Sequence, residues 1–151
     1  MPKFVISDTS CLILFSKIEQ ILLLQKVYQK VYTTPEIALE FNEELPSWIE
    51  IIPVTDKKYL EFLNTQVDLG EASAIALAKE LGDVLVLMDD LKGRKLAKKL
   101  NIKITGSLGV IHKAKELGII NEVKPILEKI IQTDFRISEN VINEFLILNK
   151  E

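Results

Sequence analysis

A chain of 151 residues, 48% hydrophobic and 27% charged, is long enough to bury a substantial core and too apolar to be disordered. Its net charge of −3 excludes a surface that traps polyanions indiscriminately, and its single cysteine excludes an internal disulfide or a cysteine-based zinc cluster. No apolar run reaches the ~20 residues that span a bilayer, and no secretory signal is visible at the amino terminus, so the expectation is one domain, residues 1–151, acting in the cytoplasm with no membrane partner.

In chain order, residues 3–7 read as a short buried strand and 10–28 as a helix broken near Ser16 and Lys17. Lys30 to Thr33 is a short strand stopped by Pro35, a residue suited to the first turn of a helix over 35–44. Trp48 to Val54 alternate in a β-rich pattern that Pro53 confines to a sheet edge or a strand end. Helices follow over 56–64 and 70–81, the second rich in alanine and closed by Gly82. Val84 to Met88 is the strongest strand. After it come a helix over 91–100, a strand from Ile102 to Thr105 and a helix over 106–117 closed by Gly118. Amphipathic helices at about 121–132 and 138–149 complete the chain. Strands alternating with helices predict an α/β fold, a parallel sheet with helices on both faces.

Acidic residues recur where these segments meet. Asp8 follows the first strand, Glu40 lies in the second helix beside the face shared by Ile37 and Phe41, and Glu71 opens the alanine-rich helix. Asp89 and Asp90 follow the strongest strand. Each has an ordinary explanation taken alone, as a helix cap or a complement to the helix dipole. Together they point to the crevice at the carboxyl ends of parallel strands, where converging carboxylates need a cation to offset their repulsion. Lys92, Arg94, Lys95, Lys98, Lys99 and Lys103 lie directly beyond, in a stretch without an acid. That stretch is either a solvated helix face or a grip for a phosphate backbone.

Other chemistries fit poorly. Neither a GxxxxGK[ST] phosphate loop, a GxGxxG fingerprint nor a GxSxG elbow is present. His112 reads as a packed or half-exposed helix residue, and Cys11, beside Leu12 and Ile13, as core. A phosphotransfer receiver would carry its acidic pair after the first strand, and a haloacid-dehalogenase-like phosphatase would need an aspartate where Ser10 stands.

The ordered set of motifs resembles the PIN domains, in particular the ribonuclease toxins of the VapBC type and a prokaryotic subgroup of unassigned role. The matching segments are Val5 to Ser10, Thr34 to Phe41, Leu69 to Ala78, Val86 to Arg94 and Ile104 to Val110, and the likeness covers about residues 3–148. The resemblance implies a three-layer α/β/α sandwich with a central parallel sheet. It also implies a Mg²⁺ or Mn²⁺ site for phosphodiester hydrolysis, formed by Asp8, Glu40, Glu71 and one of Asp89 or Asp90. Relatives often have Asp where Glu71 stands, and some have a further acid where this chain has Lys92. Ser10 and Thr105 are candidates to orient a carboxylate or the phosphate, and Lys92, Arg94 and Lys95 to hold RNA. A homodimer and an antitoxin protein are the partners such a family suggests. The other expectation is a catalytically silent PIN scaffold that binds RNA or a protein.

Overall fold

The computed structural model describes residues 2–151, among which five strands and nine helices are formed. They are β1 (Phe4–Ser7), α1 (Thr9–Lys17), α2 (Ile21–Tyr28), β2 (Val31–Thr33), α3 (Pro35–Phe41), β3 (Ile49–Ile51) and α4 (Lys57–Leu63). The second half holds α5 (Leu69–Leu81), β4 (Val84–Leu87), α6 (Leu91–Lys99), β5 (Lys103–Thr105), α7 (Ser107–Glu116), α8 (Lys124–Ile131) and α9 (Glu139–Leu148). The strands form one parallel sheet in the order β3-β2-β1-β4-β5, flanked by helices in a three-layer α/β/α arrangement.

That order creates the site. Crossovers from β1 lead outward to β2 and β3, whereas the crossover from β4 leads outward in the other direction to β5. The carboxyl ends of β1 and β4 therefore flank a topological switch point, where departing chains leave a crevice open. In-register pairing of Phe4 to Ser7 with Val84 to Leu87, extended by the Asp8 amide donating to the Leu87 carbonyl at 3.0 Å, brings Asp8 and Asp89 to this edge.

The core has a direct sequence origin. Val5, Ile6, Val84, Val86 and Leu87 are buried on central strands, as expected for a parallel sheet covered on both faces. Each such side chain contributes about 1.5–3 kcal/mol when fully buried. Gly70 to Ala78 are all buried, because α5 packs on β1 and β4 and is enclosed by α3, α4 and α6. Only small side chains permit such close approach over most of a helix.

Several boundaries differ from the sequence expectations, each for a local reason. The helix from Pro35 ends at Phe41 because Asn42 takes a left-handed conformation, φ 55°, which asparagine tolerates. The long helix over 10–28 divides at residues 18–20 rather than at Ser16 and Lys17, with Glu19 at φ 58°. The first C-terminal helix begins at Lys124 instead of 121, since Pro125 lacks an amide hydrogen and belongs in a first turn. β3 is an edge strand of three residues, and Pro53 lies just beyond it.

Polar contacts pin the carboxyl terminus. His112 Nδ1 donates to Asn149 Oδ1 at 2.8 Å, and Lys115 donates to the Asn149 carbonyl. Glu151 accepts from the amides of Val123 and Lys124 at 2.8 and 3.1 Å. His112 is thereby a packed helix residue with a structural partner.

Candidate functional site

Asp8 is the deepest of the carboxylates, 2% exposed. It caps α1 by accepting from the Cys11 amide at 2.9 Å, an ordinary use of aspartate at a helix start. Its environment is less ordinary. Burial pushes its pKa up to about 8; the Cys11 amide opposes that shift, and the negative charges of Asp89, Asp68 and Asp90 reinforce it.

Glu71 sits in the first turn of α5, whose N-cap Asp68 accepts from the Glu71 amide at 2.9 Å. Its side chain is turned inward, where burial, then Asp90 and Asp68, push it up to about 9. Asp90 is held below the usual carboxylate range, first by its hydrogen bond with Glu71 and also by the Gly93 amide and Lys92. The two carboxyls are thus driven apart, Glu71 upward and Asp90 downward.

The two adjacent aspartates after β4 have different surroundings. Asp90 is exposed and caps α6 by accepting from the Gly93 amide at 3.1 Å. Asp89 is half-buried and accepts two bonds from Ser107, 2.8 Å from the amide and 2.5 Å from Oγ. Both lie close enough to Asp8 to raise its pKa, so both border the crevice.

Glu40 approaches from α3. It is exposed and accepts from Thr9 Oγ1 at 3.0 Å, and a Cβ built on Gly70 would overlap its Oε1. Glu40 therefore rests beside the residue that precedes Glu71. A buried hydrogen-bonded chain joins the two helices. The Ile37 amide donates to Thr34 Oγ1 at 3.1 Å, Thr34 lies 2.6 Å from Ser73 Oγ, and Ser73 donates to the Gly70 carbonyl at 2.7 Å.

The structure thus brings Asp8, Glu71, Asp89 and Asp90 to one crevice, with Glu40 at its rim. Among the described residues, no three His, Cys, Asp or Glu side chains are already drawn together as a ligand group. The donors are nonetheless of one kind. They are carboxylate oxygens suited to a hard divalent cation, and the strained ionisation of Asp8 and Glu71 is what a cation would relieve.

Three residues at the site lay outside the sequence expectations. Asp68 adds a further carboxylate, and the spacing Asp68-x-x-Glu71, a capping-box pattern, was its available signal. Thr9 and Ser107 hold Glu40 and Asp89, the tasks for which their near neighbours Ser10 and Thr105 were candidates. Ser10 is exposed on α1, and Thr105 ends β5, where its carbonyl accepts from the Met88 amide at 2.9 Å. Lys92 and Lys95 are exposed on α6, while Arg94 is half-buried and donates to the Met88 carbonyl at 3.0 Å. Cys11 is fully buried beneath the site, with Ser107 Oγ 3.5 Å from its sulfur.

No helix among the described residues is long and apolar enough to cross a membrane. No curated protein shows significant similarity to the chain. A match to the family described as PIN domain runs over residues 4–151, from the first strand through Asp8 and the other carboxylates to the last residue. On that match the chain belongs to the PIN-domain family, whose fold is generally that of a nuclease.

Proposed function

We propose that this protein is an endoribonuclease that hydrolyses RNA phosphodiester bonds with Mg²⁺ or Mn²⁺. The observation that carries the reading is the gathering of Asp8, Glu71, Asp89 and Asp90 at the switch point, with two of them unable to ionise normally without a compensating charge. Asp8, Glu71 and the Asp89–Asp90 pair are the proposed holders of the cation, with Glu40 reaching in from the rim. When bound, the ion would lower the pKa of its water and offset charge on the phosphate.

The chain's own residues supply placement. Ser107 holds Asp89 and Thr9 holds Glu40, so neither carboxylate has to be ordered when substrate arrives. Lys92 and Lys95 face solvent beside Asp90 and attract the RNA backbone. Water attacks phosphorus, the bond to the 3′ oxygen breaks, and that oxygen leaves with a proton. The products are a 3′-hydroxyl and a 5′-phosphate. The reading is tested by incubating an RNA panel with Mg²⁺, Mn²⁺ or EDTA, using the parent chain and Asp8→Asn. Cleavage that needs metal and vanishes in the variant is expected. A 2′,3′-cyclic phosphate as main product would refute the water mechanism.

A second reading, a silent scaffold that binds RNA or a protein, draws on Lys92 occupying a place where some relatives carry an acid. Folded parent and variant that both bind RNA and both fail to cut would select it.

The reading extends to assembly. Leu39 on α3 is 80% exposed, and Ile147 and Leu148 on α9 are 76% and 59% exposed, whereas Phe145 is buried and Ile142 and Leu146 pack against the core. A symmetric homodimer would cover part of this surface. Light scattering that gives a monomer at tens of micromolar, an order-of-magnitude choice, counts against it. The likeness to toxins adds an antitoxin protein as partner. Growth arrest on expression, with no relief from any co-expressed neighbouring gene product, would remove that role.

A further inference from the structure

Two of the six glycines have a backbone reason to be glycine, since Gly82 and Gly118 stand at φ 85° and 73°. The other four have no positive φ, and a glycine inside a helix is less favourable than alanine. Their reason lies in what a side chain would meet. For Gly109 the neighbour is Thr105, but for the remaining three it is a carboxylate of the site. Gly70 faces Glu40 at the rim, while Gly93 and Gly106 face two of the central acids.

Gly93 is buried in the first turn of α6. Its amide donates to Asp90, and a Cβ there would lie 3.3 Å from Glu71 Oε1 and 2.5 Å from Met88 Sδ. Glu71 of α5 thus rests against bare backbone of α6, beside the N-cap Asp90. Gly106 is the N-cap of α7, in extended backbone at φ −98° and ψ −178° that any residue adopts, and it brings no capping side chain. Asp89 takes the place of that cap from the segment after β4. Its Oδ1 accepts from the Ser107 amide at 2.8 Å, and a Cβ on Gly106 would lie 2.7 Å from the same oxygen.

We propose that Gly93 and Gly106 are positioning residues that set how far the Glu71 and Asp89 carboxylates stand back from the crevice, and thereby the size of the divalent cation held there. The proposal rests on the metal-nuclease reading and adds an ion specificity to it. Ordinary contact with a Cβ begins at 3.4 Å, so a methyl group on Gly106 displaces Asp89 Oδ1 by roughly 0.7 Å, and one on Gly93 shifts Glu71 by a few tenths. Oxygen ligands sit about 2.0–2.1 Å from Mg²⁺ and about 2.3–2.6 Å from Ca²⁺. Displacements of this size therefore span the difference between the two ions. Each glycine is wall and the crevice is the open side, so an added methyl drives its carboxylate inward and narrows the seat. The bare walls keep room for the larger ion.

The test titrates the full chain, stripped of metal with EDTA and dialysed, calorimetrically with Mg²⁺ and with Ca²⁺. Gly106→Ala is expected to weaken Ca²⁺ about tenfold more than Mg²⁺, and Gly93→Ala to move the ratio the same way by about threefold, effects of the kind that groups supporting a metal ligand have. Gly93→Ala also presses on Met88, which is fully buried, so its control is a cycle with Glu71→Asp. The shorter acid withdraws from the added methyl, and in that background Gly93→Ala should leave the ratio unchanged, whereas a purely structural disturbance acts in both backgrounds alike. Circular dichroism melting verifies folding, and Gly106→Ala, in unstrained backbone, carries the test if Gly93→Ala does not fold. An unchanged ratio in Gly106→Ala, equal weakening of both ions or a shift toward Ca²⁺ overturns the proposal and leaves the nuclease standing. A folded parent that binds neither ion removes the metal site itself, and the proposal with it.

Discussion

The carboxylate of Glu40 lies over the bare Cα of Gly70, so close that a side chain at that position would overlap Glu40 Oε1. Two helices that are separate in sequence, α3 and α5, thus bring the Glu40 carboxylate against the residue that precedes Glu71 through the absence of a side chain. Gly70 sits in ordinary helical backbone, with no positive φ. The glycine is explained by the neighbour it accommodates.

Gly70→Ala therefore separates stability from activity. Alanine favours a helix over glycine by about 1 kcal/mol, and the group displaced is the mobile end of a glutamate, so the melting temperature should hold or rise slightly. Cleavage should fall roughly tenfold to a hundredfold as the Glu40 carboxylate is pushed aside. A variant that melts and cuts like the parent would show that Glu40 has no need of this seat.

Ser107→Ala removes the 2.5 Å hydroxyl bond to Asp89 while the amide bond at 2.8 Å remains. A group that orients a metal ligand commonly contributes 10–100-fold in metal affinity, and about that loss is expected in calorimetric titration with Mn²⁺. Stability should drop by only about 0.5–1.5 kcal/mol, the range for one hydrogen bond. Unaltered Mn²⁺ affinity would remove Asp89 from the ligand set.

The raised pKa values set a pH dependence for metal-free protein. Asp8 rises from 3.8 to about 8 and Glu71 from 4.5 to about 9 on folding. Between those limits the folded chain binds more protons than the unfolded one, so stability falls as pH rises from about 4 to 9. Saturating Mg²⁺ should flatten the curve, and Asp8→Asn, which can still cap α1, should raise the metal-free melting temperature at pH 8. Stability that increases with pH over this window in EDTA contradicts the buried protonated carboxyls.

The hydroxyl chain from Thr34 through Ser73 to Gly70 is buried at every member. Thr34→Val strips the Ile37 amide of its cap and leaves Ser73 with only its bond to the Gly70 carbonyl, and should cost about 1–3 kcal/mol. Chemical denaturation checks this, and a loss under half a kilocalorie would mean that water replaces the hydroxyl.

Replacing Lys92, Arg94 and Lys95 with Ala should weaken RNA binding and flatten its salt dependence. The members will not contribute alike. Lys92 and Lys95 are free in solvent, so their loss should appear in binding alone, whereas Arg94→Ala strips a donor from the Met88 carbonyl and should also lower the melting temperature. An unchanged salt slope in the triple variant excludes these residues from the RNA path.

The features legible in the chain were local. Alternating strands and helices, Pro35 opening a helix, Gly82 closing one and the alanines of α5 each act within a few residues, and those interactions leave a pattern in the chain. The placement of acids at segment ends was equally legible, since a helix cap and a cleft carboxylate occupy the same kind of position. Helix ends at Asn42 and Glu19 were less so, because a left-handed residue is one conformation among several that these side chains permit. Strand order and packing put β4 beside β1, which brings Asp8 near Asp89, and made Thr9 meet Glu40, Ser107 meet Asp89 and Asp90 meet Glu71. Those pairings arise from strand order and helix packing across the whole sheet. Contacts between distant segments depend on the summed burial of the core, so no short stretch of sequence carries their signature.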